Sequence, residues 1–484
     1  MPYQIISGTT HDLVDTEQFI QSLDESLSSL PAHWGDFFDA KRELIVTRAP
    51  GRIDLMGGIG DYAGSLVLEL PIRNATHVAL QPSQDTALRI VSLPVAAGES
   101  RRLFEIDLKR LPIDYADARS FFASDGANHW AAYVAGVFMV LMREAKFAFH
   151  EGARILIQSN VPEGKGVSSS AALEVAVMQA VAAPYGIEMS RQELALLCQK
   201  VENLIVGAPC GVMDQMTAVF GETNCALELL CQPAEFKGML TLPEQLEVWA
   251  IDSGIRHFVG GSDYRTVRTA TFMGYRIIAE VAGLSVSPGA WHGHVWIDDW
   301  KWKGYLANVT PEEFEQEFAA SIPECLTGHE FLDRYQGITD IVTSVDPAVE
   351  YPVRQATRHP IYEHARVNAF ASMLKDWRGL EQARALGELM FRSHGSYSAC
   401  GLGSPGTDEL VRLVKHASGD DLYGARITGG GSGGSVAILG RRGAINTVQH
   451  IAKQYRQQTG FQAAIISGSS PGASLFGHLR LMRN

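Results

Sequence analysis

Six cysteines in 484 residues (Cys198, Cys210, Cys225, Cys231, Cys325 and Cys400) are too scattered for a disulfide framework, and none form a Cys-x-x-Cys pair or a metal-ligand spacing. Their mostly apolar neighbours mark them as reduced and buried. No apolar run approaches a membrane span, and the N-terminus lacks the basic-then-apolar pattern of a secretory signal. No long basic run is present. With 41 Lys and Arg against 54 Asp and Glu, the net charge of −13 argues against nucleic acid or an anionic membrane surface as the main partner. Internal repeats and low-complexity segments are also missing. The expectation is a cytoplasmic globular protein with no nucleic-acid or membrane partner. Its oligomeric state, monomer or homodimer, is open.

A chain of this length can bury two substantial cores, so two domains or one large bilobal unit are expected. The stretch that organises the chain is Val161-Pro-Glu-Gly-Lys-Gly-Val-Ser-Ser-Ser-Ala-Ala172. A strand-like run, 153–158, precedes it, and an apolar, small-residue helix follows Ser170. Glycines let backbone approach a ligand, and a helix N-terminus offers unpaired N–H groups, a combination suited to a polyphosphate. A plain helix-capping turn would read the same way. It is not a Walker A loop, because Gly166 and Val167 follow Lys165 where Ser or Thr would stand.

Residues 1–43 read as a helical lead-in, with Phe19, Leu23, Leu27 and Leu30 at helical spacing before Pro31. A strand at 44–47 then feeds 48–64, a stretch that looks too Gly-rich and charged for core. Further strands are expected at 66–70, 77–80, 88–92 and 246–251. Helices are expected at 130–142, 192–206, 362–375 and 381–394. Residues 284–350 carry Trp291, Trp296, Trp300 and Trp302 with weak periodicity and read as an insertion into the second domain. Aromatic packing of a small subdomain explains them better than a carbohydrate-stacking surface. A glycine loop, 428–434, runs into a strand.

Each Gly-rich stretch is weak alone, but 48–64, 161–175 and 428–437 in this order resemble the three motifs of the GHMP kinases. The resemblance implies an α+β, two-domain GHMP-kinase fold with the active site in the cleft between lobes. The expected N-terminal domain is 1–245, and the C-terminal domain 246–484. Arg52, Asp61, Glu202 and Asp214 match positions of the galactokinase branch. His257-Phe-Val-Gly-Gly-Ser-Asp-Tyr264 resembles its segment that brings a tyrosine to the sugar. The chain further resembles the kinase part of plant L-arabinokinases from about residue 44 to the C-terminus. That likeness includes 198–203, 207–217, Thr357-Arg-His-Pro-Ile-Tyr-Glu363, Tyr397-Ser-Ala-Cys-Gly-Leu-Gly403 and 468–473. The plant proteins carry a large N-terminal glycosyltransferase-like domain with no counterpart in these 484 residues, and the kinase chemistry is not expected to depend on it.

Phosphoryl transfer asks a protein to position two substrates and neutralise charge. The resemblance implies that Gly164, Lys165, Gly166, Val167, Ser168, Ser169 and Ser170 hold the ATP phosphates. It implies that Ser170 and Glu202 bind Mg²⁺, whose preference for hydroxyl and carboxylate oxygens fits. Asp214 would accept the sugar hydroxyl proton while Arg52 offsets phosphoryl charge. Asp61 would accept two sugar hydroxyls, with Gly58, Ile59, Gly211 and Tyr264 completing the sugar site. Read without the motifs, Glu202 is a solvated helix carboxylate, Asp214 a turn aspartate, Arg52 a surface cation and Tyr264 a structural tyrosine.

Galactokinases carry Gly-Glu-His where this chain has Gly57-Gly58-Ile59. L-Arabinopyranose shares the ring configuration of D-galactose but lacks its C6 group. A buried glutamate without a partner would cost roughly 1–3 kcal/mol, and Ile59 could fill the space instead. The implied reaction is transfer of the ATP γ-phosphate to the anomeric hydroxyl of L-arabinose, with ATP and Mg²⁺ as cofactors. The alternatives are a kinase for galactose or a uronic acid, for which Arg73 or Arg256 could supply a cation, and a catalytically silent sugar sensor. The intact Ser-Ser-Ser-Ala-Ala run and the presence of Arg52, Glu202 and Asp214 speak for an enzyme.

Overall fold

A computed structural model describes residues 3–27, 30–94, 100–256 and 262–484. Its largest element is a nine-stranded sheet built on two long antiparallel strands, Leu44–Met56 and Leu66–Pro82. Leu66–Pro82 is one continuous strand where two were expected. Its second half pairs with Ala153–Ser159, and its first half with Cys225–Leu230. On the other flank Leu44–Thr47 pairs with the C-terminal strand His478–Arg483, which in turn pairs with Tyr3–Ser7.

Two expectations are corrected here. The lead-in is a strand followed by the helix Val14–Ser26, which ends before Leu27 and Leu30. Phe19, Ile20 and Leu23 pack with Trp34, Phe37 and Phe38 on the back of the sheet, so the described part of 1–43 belongs to the same body. The strand Leu44–Met56 runs on through the charged, Gly-rich stretch, and every residue of it is buried. Its charges survive burial because each finds a distant partner. Arg48 pairs with Asp15 at 2.8 Å, and Asp54 with Arg426 at 2.8 Å.

Helices Ala132–Arg143, Ser169–Tyr185 and Met213–Phe220 cover the sheet with Val, Ala and Met side chains. The C-terminal half holds a four-stranded sheet ordered Leu422–Thr428, Ser435–Arg441, Leu246–Asp252, Ile465–Ser467. Helices Val353–Lys375 and Leu380–Ala399 join this sheet to Ile53, Leu55 and Met56 in one apolar cluster. The two halves are therefore cemented by apolar side chains beneath the cleft.

Within 284–350, Trp302, Phe314, Phe318 and Phe331 share a cluster with Ile59, Ala63 and Tyr264. Of the four tryptophans there only Trp302 is core, whereas Trp291, Trp296 and Trp300 are at least half exposed. All six cysteines are free, but only four are buried: Cys225 is partly exposed and Cys325 exposed. No helix of the described residues is long and apolar enough to cross a membrane.

Candidate active site

The strand Ala153–Ser159 ends at a loop that reverses into the helix Ser169–Tyr185. Gly164 and Gly166 take φ of +68° and +71°, which glycine adopts without strain. A Cβ on Gly166 would stand 2.6 Å from the Thr428 carbonyl oxygen, and one on Gly429 2.8 Å from that of Gly166. The third glycine loop thus lies directly against the phosphate-loop candidate. Ser168 precedes the helix in the left-handed region (φ +59°), which is costly for a serine. Its buried hydroxyl has no hydrogen-bond partner among the described residues and lines a cavity of about 180 Å³. An anion at the helix N-terminus would engage such a group.

Arg52 links that loop to the opposite wall. Its amide donates to the Val167 carbonyl (3.1 Å) and its Nη1 to the Gly166 carbonyl (2.6 Å). Nε and Nη2 both donate to Asp214 Oδ1, at 3.0 and 2.7 Å, while Glu69 Oε2 lies 3.0 Å from Nε. Burial works against the guanidinium charge, but Asp214, Glu69 and Asp54 outweigh it and raise its pKa above the ordinary arginine value. Asp214 sits in the first turn of Met213–Phe220, after the turn at Gly211. Asn203 braces that turn, its Oδ1 accepting from the Cys210 amide at 2.8 Å.

Asp61 faces the same cavity from the short 3₁₀ segment Gly58–Ala63 and accepts the Met213 amide at 3.0 Å. Burial pushes its carboxyl above the usual range. A Cβ on Gly211 would fall 1.8 Å from Asp61 Oδ2, so only glycine fits there. Gly58, Ile59 and Tyr264 line the cavity too. Of the 257–264 segment, 257–261 lie outside the described residues. Arg73 and Arg256 are not among the lining residues.

Glu202 lies on the last turn before Gly207, 3% exposed, with Oε2 accepting from Gln215 Nε2 at 2.8 Å. Burial and then the Asp214 charge push its pKa up to about 7, against a hydrogen bond with Ser170. A carboxylate with so little compensation is suited to a cation. Behind it Glu174, fully buried, also accepts from Gln215 (3.2 Å), and burial followed by the Glu202 charge raises its pKa well above normal.

Two residues of the expected phosphate loop point elsewhere. The Lys165 ammonium pairs at 2.9 Å with Asp252, the last residue of the strand Leu246–Asp252, and lines neither cavity. Val167 packs its side chain into the apolar cluster with Val161, so it offers the loop only backbone. Sequence reading missed Gln215, Glu69 and Tyr133, which lines both this cavity and a second of about 510 Å³. The second cavity shares Gly164, Ser169 and Ser170 and continues past Leu93, His129, Trp130 and Leu173. Gln215 lies within the 207–217 stretch without being singled out there, whereas no motif marks Glu69 or Tyr133, whose place at the site arises from tertiary packing; only the apolar run 130–142 hinted at Tyr133 and Trp130.

Residues 132–222 match the family model of the GHMP kinases N terminal domain, and 378–457 that of the GHMP kinases C terminal. Residues 33–82 match the galactokinase galactose-binding signature. The L-arabinokinase of Arabidopsis thaliana is 42% identical over 99% of this chain, which spans about half (52%) of the length of that relative. The crystal structure of Lactococcus lactis galactokinase complexed with galactose aligns with a TM-score of 0.70, at 22% identity, over 92% of this chain and 98% of that one. The mevalonate kinase of Methanococcus jannaschii aligns with a TM-score of 0.51 at 13% identity, over 88% of this chain and 97% of that one. At these identities the two structures carry the fold alone, one of mixed helix and sheet.

Proposed function

The chain belongs to the GHMP kinase family, and from that premise we propose that it is an ATP-dependent sugar 1-kinase. Its substrate in this reading is L-arabinose, phosphorylated on the anomeric hydroxyl to L-arabinose 1-phosphate and ADP. The observation that carries it is the continuous link Asp61–Met213–Asp214–Arg52–Gly166, which joins a diol-accepting carboxylate to a phosphate-accepting loop inside one cavity. The proposed domains are 1–245, with the phosphate loop, and 246–484, with the insertion at 284–350.

Ser168, Ser169 and Ser170 at the helix N-terminus receive the ATP phosphates, and the nucleoside lies in the adjoining cavity against Trp130. Ser170 and Glu202 would hold a Mg²⁺ ion, which when bound offsets charge on the phosphate oxygens. Asp61 orients the sugar by accepting two of its hydroxyls. Asp214 holds the anomeric hydroxyl and takes its proton at Oδ2, since Oδ1 is committed to Arg52. Arg52, clamped by Asp214, Glu69 and the Gly166 carbonyl, presents fixed positive charge where negative charge builds up on the transferred phosphoryl group. L-Arabinose rather than a hexose is favoured by Gly58 and Ile59 at the wall and by likeness to the plant relative.

The test is ADP release by purified protein with Mg²⁺ and L-arabinose, D-galactose, D-galacturonate or D-glucuronate. Selective turnover of L-arabinose is expected, with kcat falling about 10²–10⁴-fold in Asp214→Asn. Preference for another of these sugars refutes the substrate. Turnover of none, with ligands still bound, refutes the enzyme and favours a sensor.

A further inference from the structure

We propose that Tyr397 is a specificity-determining positioning residue, whose hydroxyl occupies the space a side chain at position 58 would need and thereby sets the wall of the sugar pocket. The inference rests on the sugar-kinase reading above. Tyr397 lies near the end of the helix Leu380–Ala399, in the C-terminal half and remote in sequence from the pocket. Its side chain is fully buried and outside the cavity lining.

Gly58, at φ +49°, points its missing side chain at this tyrosine: a Cβ there would stand 1.6 Å from Tyr397 Oη and 2.7 Å from Cζ. No residue other than glycine fits while the hydroxyl is in place. The Arg426 guanidinium lies over the ring at 5.1 Å, and its Nη2 would itself stand 2.8 Å from that Cβ. Arg426 is itself fully buried and anchored on Asp54 Oδ1 (2.8 Å) and Ser393 Oγ (3.0 Å).

The same hydroxyl ties two loops together. It accepts the Ile59 amide proton at 2.7 Å and donates to the Gly429 carbonyl at 3.1 Å. Ile59 is wall of the sugar pocket, and Gly429 abuts Gly166 of the phosphate loop. One oxygen atom thus fixes both the apolar wall and its distance from the phosphates. The stretch of wall made by Gly58 and Ile59 carries no polar side chain to pair with an exocyclic hydroxymethyl, so it suits a pentopyranose better than the hexose that differs by that group.

The test compares wild type, Tyr397→Phe, Gly58→Ala, Tyr397→Leu and Gly58→Ala/Tyr397→Leu on L-arabinose and D-galactose. Tyr397→Phe keeps the buried ring and its stacking while removing both hydrogen bonds. It is expected to raise the sugar KM roughly tenfold, leave the ATP KM within about twofold, and lower the pentose-to-hexose ratio of kcat/KM by roughly tenfold. A merely structural tyrosine would change both KM values together and leave the ratio unmoved, and that result would overturn the proposal. Thermal melting supplies a readout independent of turnover. Gly58→Ala is expected to lower Tm in the wild-type background and much less beside Tyr397→Leu; equal losses in both backgrounds overturn the proposed contact. A wild type inactive on every sugar refutes the kinase reading and with it the specificity role. The melting cycle still decides whether Tyr397 governs position 58.

Discussion

Glu202 carries the most quantitative prediction. Its carboxyl is 3% exposed, and burial, reinforced by the Asp214 charge, lifts its pKa from 4.5 to about 7. The folded protein therefore holds this proton more tightly than the unfolded chain. Its contribution is most favourable below pH 4.5 and declines as pH rises, with the loss complete above about 7. The decline amounts to roughly 3 kcal/mol. Glu202→Gln cannot ionise and should lack it. Urea unfolding at intervals from pH 4.5 to 7.5 measures the effect as a difference between the two proteins. Asp61 and Glu69, also raised by burial, are present in both and largely cancel. Glu174 loses the Glu202 charge in the variant, which adds to the difference with the same sign. Asp214→Asn should shrink the wild-type decline by lowering the Glu202 pKa. Binding of a non-hydrolysable ATP analogue with Mg²⁺ should tighten as pH rises through about 7 in wild type and not in Glu202→Gln. Stability curves that run parallel across this window would refute the account of an uncompensated buried carboxyl.

Gly211→Ala forces a Cβ to within 1.8 Å of Asp61 Oδ2, so the sugar KM should rise more than about tenfold with the ATP KM unchanged, as steady-state kinetics will show. Lys165→Met should alter the ATP KM by no more than about threefold, because the ammonium is engaged by Asp252; a large rise would return Lys165 to the phosphates. The same variant should lose about 1 kcal/mol of stability in denaturant unfolding. Trp130→Ala removes a wall of the larger cavity and should raise the ATP KM roughly tenfold, with the sugar KM untouched, checked by varying each substrate in turn.

The glycine–serine turn and the helix after it were legible because they are local. Gly164, Gly166 and the serines at 168–170 are close in the chain, so spacing alone exposes a loop that enters a helix N-terminus. The resemblance to the GHMP kinases was legible for the same reason: it rests on three short glycine-rich segments in the family's order. Strand 44–56 was misread past Thr47 because charge and glycine signal loop when partners cannot be seen. Its Arg48, Arg52 and Asp54 are tolerated in the core only through Asp15, Asp214 and Arg426, each brought in from elsewhere in the chain.

What the sequence by itself determined is the kind of site: a glycine–serine helix start, a carboxylate after a tight turn, and an arginine near a second carboxylate. What only tertiary structure decided is which of these groups share a cavity and which are turned away. Asp61 reaches Met213, Lys165 pairs with Asp252, Gln215 couples Glu202 to Glu174, and Tyr397 fills the room beside Gly58. These are contacts between segments far apart in sequence, set by how helices and sheets pack, and periodicity and spacing carry no record of them.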